Sequence, residues 1–297
     1  PEVPEAFLPA LAAQSGASSA LDVARIEEAW QELASIAAEG RWQAWASVVD
    51  GDTGEIVFAA GDEPHTPASI AKVLTSYFAL SVLQPDATWA TGTSLLGHDL
   101  YLWGEGDLLL GEGKSDPSQV NGRAGLATLT AQTAEALSAE GVTTVVLHYQ
   151  DQFVEGASRP AGWEEQEVLD FGGDAAAFAV DTGRTAPGAW SFVANSARSA
   201  AETFSVALKK AGIEVEAVKA GSVPADAQPL AQIHSAPVLE QVEFLLLTSD
   251  NTLAEQYCFL AANQYAQSES LEQAPAALKS FLEDEGVDAQ GLKPYDC

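Results

Sequence analysis

Between about residues 88 and 230 the chain has a different texture from what lies on either side, and this bounds the fold more tightly than any other feature. Short strand-like runs at 100–103, 144–147 and 178–180 alternate there with Gly, Asp and Pro clusters. Two helical stretches, 124–140 and 196–211, end at Gly141 and Gly212, and a further strand follows at 213–218. Strands and helices mixed in this way describe a separate α+β module. Ahead of it, Leu21, Val23, Ile26, Trp30, Leu33 and Ile36 return at helical spacing and predict a helix over 17–38. Alternating runs at 42–49 and 55–60, joined by Asp50-Gly-Asp-Thr-Gly54, predict a β-hairpin. Thr66 then reads as an N-cap and Pro67 as the first residue of a helix over 68–83, closed by Pro85 and Asp86. Beyond 230 the chain is helical: 237–247, 252–266 and 273–285, with Thr248-Ser-Asp-Asn251 interrupting the first two. The expected fold class is α/β of the α+β kind, in three segments: 1–87, 88–230 and 231–297.

Charge and composition exclude whole classes of partner. With 43 Asp and Glu against 13 Lys and Arg, the chain of 297 residues carries −30, which opposes binding to a nucleic-acid backbone or to anionic lipid. Apolar residues at 47% and charged ones at only 19% indicate a core-forming protein and not an acidic disordered tail. No stretch approaches the 18 or so apolar residues of a transmembrane helix, and no charged-then-apolar leader opens the chain. Cys258 and Cys297 are too few for a four-ligand zinc site. A Cys258–Cys297 disulfide is open to them if the protein is exported, and two unpaired thiols fit equally well.

Several familiar patterns fail on inspection. The Asp50 loop starts like a calcium loop, but Gly61 stands where the twelfth-position Glu belongs. Gly104-Glu-Gly106 has Leu109 in place of the third glycine of a dinucleotide fingerprint, and Leu108 replaces the leading glycine of a phosphate loop ending at Gly113-Lys-Ser115. The histidines, 65, 98, 148 and 234, never stand at i, i+4 spacing. No metal or other cofactor is expected.

Two short motifs can carry chemistry. Ser69-Ile-Ala-Lys72 is the chain's only Ser-x-x-Lys and opens a helix, which places both side chains on one face. A lysine amine whose pKa is depressed by burial can deprotonate the serine, and the helix N-terminus offers free N–H groups to an oxyanion. A solvated lysine on an ordinary helix is the plain alternative. Ser249-Asp-Asn251 is the only Ser-x-Asn, lying in a turn between helices, where such residues expose their side chains or cap the helix that follows. There the serine can relay a proton and the asparagine amide can hold a substrate carbonyl.

Together these motifs resemble those of the low-molecular-mass class C penicillin-binding proteins, the D-Ala-D-Ala carboxypeptidase/endopeptidase family. Pro67-Ala-Ser-Ile-Ala-Lys-Val-Leu-Thr75 is similar to the family's nucleophile segment. Leu100-Tyr-Leu-Trp-Gly-Glu-Gly-Asp107, Ala179-Val-Asp-Thr-Gly-Arg184, Ser235-Ala-Pro237 and Ser249-Asp-Asn-Thr-Leu-Ala-Glu255 fit as well. The resemblance implies a transpeptidase-like serine domain, formed by 1–87 and 231–297, with 88–230 inserted. It further implies cleavage of D-Ala-terminated peptidoglycan peptides through an acyl-enzyme, β-lactams as inhibitors, and an exported protein acting outside the cytoplasmic membrane. Ser69 would be the nucleophile, Lys72 its base, Ser249 the proton relay and Asn251 the group that positions the acyl side.

Two departures stand out. The family's third motif, Lys-Thr-Gly, does not occur, and the chain ends at Pro294-Tyr-Asp-Cys297, where the resemblance implies further C-terminal strands of the catalytic domain. An isolated chain of this extent is accordingly expected to be slow or inactive. The acidic pair that the family places before a Phe in the insertion is reduced here to Asp151 in Tyr149-Gln-Asp-Gln-Phe153, a substrate-ammonium acceptor on the family's pattern and a surface turn carboxylate otherwise. A β-lactamase or esterase on the same fold, and a non-catalytic wall-binding protein, are the competing readings.

Overall fold

Helix α1, Val23–Gly40, begins where Asp22 accepts a hydrogen bond from the Arg25 amide, and it ends where Arg41 turns left-handed at φ +58. The computed structural model describes residues 21–61 and 66–297. The expected start of this helix at 17–20, and His65, therefore lie outside the described residues. Strands β1, Ala46–Val49, and β2, Ile56–Ala60, pair antiparallel as the expected hairpin, though the first is shorter than its alternating pattern. The loop is a turn held by its own first residue. Asp50 Oδ1 accepts from the amides of Asp52 at 2.8 Å and Thr53 at 3.1 Å, which engages it in backbone turning. Trp30 of α1 meets Phe58 of β2 with ring centroids 6.2 Å apart. These elements belong to one compact unit, Pro1–Thr66; the second unit is Pro67–Cys297.

The second unit opens with a 3-10 turn, Ala68–Ala71, that runs into helix α2, Lys72–Val82. The mixed module follows. Strands β3 (Ala90–Leu96), β4 (Asp99–Gly104), β6 (Thr144–Tyr149), β8 (Glu214–Ala220) and β9 (Gln228–His234) form a five-stranded sheet in the order β8-β6-β4-β3-β9. β4, β6 and β8 are parallel neighbours, whereas β3 runs antiparallel to both β4 and β9. Strands β5 (Asp107–Leu110) and β7 (Phe178–Val180) make a separate parallel pair.

Alternation dictates which sheet face is covered. Leu100, Leu102, Val145 and Leu147 point to a core they share with Leu126, Leu129 and Leu137 of α3 (Leu126–Ala139) and Ala200, Ala201, Phe204 and Leu208 of α5 (Ser196–Lys210). Each fully buried Leu or Phe contributes about 2 kcal/mol from area alone. The short helix α4, Ala161–Glu165, buries Trp163. Asn195 caps α5 by accepting from the Arg198 amide, and Lys209 and Lys210 fill its last turn, where positive charge is favoured. β3 and β9 escape the sequence pattern. Gly92 in β3 lies under the Trp103 ring, where a Cβ would approach within 2.5 Å, so small residues there serve a close approach.

The remaining helices, α6 (Val238–Thr248), α7 (Asn251–Ala266) and α8 (Ala274–Asp284), agree with their expected spans to within a residue or two. Phe78 of α2 is fully buried between Tyr265 of α7, edge-on at 5.7 Å, and Phe281 of α8 at 4.9 Å. α2 and α7 thus pack side by side. A disulfide joins Cys258 of α7 to Cys297, with Cα atoms 6.1 Å apart, deciding between the two states that the sequence left open. No described helix is long and apolar enough to cross a membrane.

Candidate active site

Ser69 does not sit in the α-helix that the spacing suggested. Pro67 occupies the capping position without any side-chain bond, Ala68 stands at φ +47, and Ser69 falls in the 3-10 turn ahead of α2. With three residues per turn, side chains at i and i+3 nearly eclipse. The consequence is direct: Lys72 Nζ lies 3.0 Å from Ser69 Oγ. Ser69 faces solvent, whereas Lys72 is only 6% exposed. Burial holds the Lys72 amine below the ordinary lysine range, opposed by the negative charges of Asp296, Asp250 and Glu255. An exposed hydroxyl beside a buried amine is an arrangement suited to serine activation.

Asn251 completes the contact. As the first residue of α7 it presents Oδ1 to Lys72 Nζ at 2.5 Å, while its Nδ2 donates to the Phe171 carbonyl at 2.9 Å. Both ends of the amide are engaged, which sets its orientation. The turn before it is built from two residues with distinct tasks. Ser249 ends α6 at φ +53 and is exposed, its hydroxyl free of any hydrogen bond to another described residue. Asp250 caps α7 by accepting from the Leu253 amide at 3.0 Å, and its other oxygen receives Arg184 at 2.7 Å. Arg184 is held in turn by the rings of Trp190 and Phe192 at 5.4 and 5.1 Å and by the Ala189 carbonyl. It follows a segment, Asp181-Thr182-Gly183, in which all three residues have positive φ. At Gly183 a Cβ would fall 2.2 Å from Ser196 Oγ, so glycine is required.

Of the five residues singled out from sequence, the structure brings Ser69 and Asn251 each into contact with Lys72 and places Ser249 in the adjoining turn. Asp151 lies apart from that contact: it is exposed after β6 and accepts from Asn195 Nδ2 at 2.7 Å. Sequence reading assigned no role to Arg184, Thr75, Glu255 or Asp296. Arg184 lay within a stretch already noted, but its partner is 66 residues away. Among the described residues no group of three or more His, Cys, Asp or Glu is placed to hold a metal ion.

The chain is 29% identical over 259 residues to carboxypeptidase DacB of Mycolicibacterium smegmatis, covering 84% of this chain and 55% of that protein. A carboxypeptidase of Mycobacterium tuberculosis is 28% identical over 260 residues, with 84% and 54% covered. The chain thus spans about half the length of the curated relatives it matches. Among solved structures, penicillin binding protein 4 of Haemophilus influenzae superposes with a TM-score of 0.62 at 18% identity, over 82% of this chain and 68% of that one, and shares the fold. The same protein complexed with a β-lactam gives 0.56 at 17% identity, over 84% and 70%. The pattern of the D-Ala-D-Ala carboxypeptidase 3 (S13) family matches residues 29–191 and 186–296, and the chain belongs to that family.

Proposed function

We propose that this chain carries the nucleophile and base of a serine D,D-carboxypeptidase acting on peptidoglycan peptides that end in D-Ala-D-Ala. The observation that carries the reading is the buried Lys72 amine between the Ser69 hydroxyl and the Asn251 carbonyl oxygen. Lys72 in its neutral form accepts the Ser69 proton as Oγ bonds to the carbonyl carbon of the penultimate D-Ala. The Ser249 hydroxyl passes a proton to the leaving nitrogen and takes the Ser69 proton from Lys72 in exchange, the C–N bond breaks, and D-Ala departs. Water then adds to the ester, giving a proton to the now neutral Lys72, and the ester C–O bond breaks as Lys72 returns that proton to Ser69 Oγ. Asn251, oriented by the Phe171 carbonyl, has the position to hold the acyl side of the peptide. Asp151 keeps one oxygen clear of Asn195 and enters the reading as an acceptor for a peptide ammonium.

A β-lactam acylates Ser69 in the same manner but retains its leaving group, and so leaves a long-lived adduct. Peptidoglycan lies outside the cytoplasmic membrane, and the disulfide accords with an oxidising, extracytoplasmic setting. The test is labelling of the full chain by a fluorescent penicillin beside Ser69→Ala. A durable adduct on the wild type alone is expected. Equal labelling of both proteins would remove Ser69 from its role, and rapid penicillin turnover would point to a β-lactamase.

A further inference from the structure

Lys72 and Asn251 begin their helices side by side, and one turn further along both helices a single residue joins them again. Cys297 donates its amide to Glu255 Oε1 at 2.9 Å, while its carbonyl accepts from the Thr75 hydroxyl. Thr75 stands one turn after Lys72 on α2, and Glu255 one turn after Asn251 on α7. The peptide of Cys297 therefore bridges the two helices directly beneath the reactive contact. It is held there by the disulfide to Cys258, itself nearly one turn beyond Glu255, and by Trp163, whose indole N–H donates to Asp296 at 2.8 Å. Thr75 and Cys258 are fully buried and Glu255 and Cys297 to within a few per cent, whereas Asp296 at the rim is exposed. Among the described residues the Glu255 Oε2 atom has no hydrogen-bond partner, and burial pushes that carboxyl up to about 8.

We propose that Cys297, fastened by its disulfide, is a positioning residue for Lys72: its peptide bolts α2 to α7 and keeps water from the inner side of the lysine. The proposal rests on the reading of Lys72 as the base. The titratable groups facing Lys72 are Asp296, next to Cys297, and Asp250 and Glu255 on α7, with Asp250 already engaged by Arg184 and Glu255 held towards its neutral form by burial. Held as it is, the bolt admits neither water nor a shift of α2 against α7. Loosened, it rehydrates the amine, which then recovers the proton affinity of an ordinary lysine.

The experiment compares wild type, Thr75→Val and the double variant Cys258→Ala/Cys297→Ala of the full chain. Two quantities are read against pH: the rate of labelling by a fluorescent penicillin, and the Lys72 side-chain NMR shift, assigned with Lys72→Arg. The expected result is an upward move of about one unit in both the acid limb of labelling and the Lys72 titration, equivalent to roughly tenfold slower labelling below the limb. A variant that labels more slowly with its acid limb and Lys72 titration unmoved would show a merely structural role and overturn the proposal. Should the double variant fail to fold, Thr75→Val, which retains the disulfide, decides by the same readouts. Absence of labelling in the wild type would count against the peptidase reading, and the NMR titration alone would then decide this one: a rise supports it, no change overturns it.

Discussion

Arg184 holds Asp250 through a 2.7 Å ion pair, and Asp250 caps the helix whose first residue is Asn251. The pair is largely buried, so removing the cation strands a carboxylate. Arg184→Ala is expected to cost about 3 kcal/mol, read as a lower urea midpoint at unchanged slope. Asp250→Asn keeps the cap, since asparagine caps as well as aspartate. In the double variant Arg184→Ala/Asp250→Asn most of the loss should return, and strictly additive losses would show that the two side chains do not act together.

Asn251 supplies Lys72 with a neutral acceptor, and a charge in its place changes the base. Asn251→Asp sets a carboxylate at 2.5 Å from Nζ, which favours the ammonium form and raises the Lys72 pKa. Labelling by a fluorescent penicillin at neutral pH should fall more than tenfold, with recovery as pH rises. Asn251→Ala should also be slow, but without the upward move of the acid limb; identical profiles for the two variants would contradict the electrostatic account.

The depressed Lys72 pKa fixes the direction of the wild-type pH dependence. Only the neutral amine accepts the Ser69 proton, so labelling should climb with pH through the folded-state value and level off above it. Because burial holds that value below 10.5, the climb should be centred below the ordinary lysine range. Lys72→Arg, which holds its proton throughout, should abolish labelling across the range.

Asp107 is fully buried on β5, with Oδ1 accepting from the Leu109 amide and Oδ2 without a hydrogen bond to another described residue, and burial pushes it up to about 7 from 3.8. The folded form therefore binds its proton more tightly than the unfolded chain. Its stabilising contribution is intact below pH 3.8 and is lost as pH rises towards 7. Asp107→Asn should flatten the fall of Tm across that window and leave the protein more stable at neutral pH, by an amount on the order of a few kcal/mol. A wild-type slope that survives the substitution would acquit Asp107.

Ser69, Lys72 and Asn251 could be found in the sequence because two short motifs, each weak alone, occur together and resemble those of a known family. The helices were legible because their periodicity and end residues are local. What escaped reading depends on partners far away in the chain. Nothing near Thr75 announces Cys297, 222 residues on, and nothing near Arg184 announces Asp250. β3 hid because its inward residues include Thr91 and Thr93 and its outer ones Gly92 and Ser94, a run without apolar alternation that makes sense only beneath Trp103. The 3-10 turn at Ser69 was likewise hidden, since a serine three residues before a lysine suits either helix.

Lys72 and Asn251 are 179 residues apart in the chain, and the five-stranded sheet forms from what lies between them. During synthesis Ser69 and Lys72 emerge before Asn251, so Lys72 lacks its second acceptor until the later helix arrives and packs against the first. Ser69 on this reading is a latent group until those intervening residues have been made. Its chemical awakening marks the moment when distant parts of the chain have met, so reactivity toward an acylating probe doubles as a clock for the packing of the two helices.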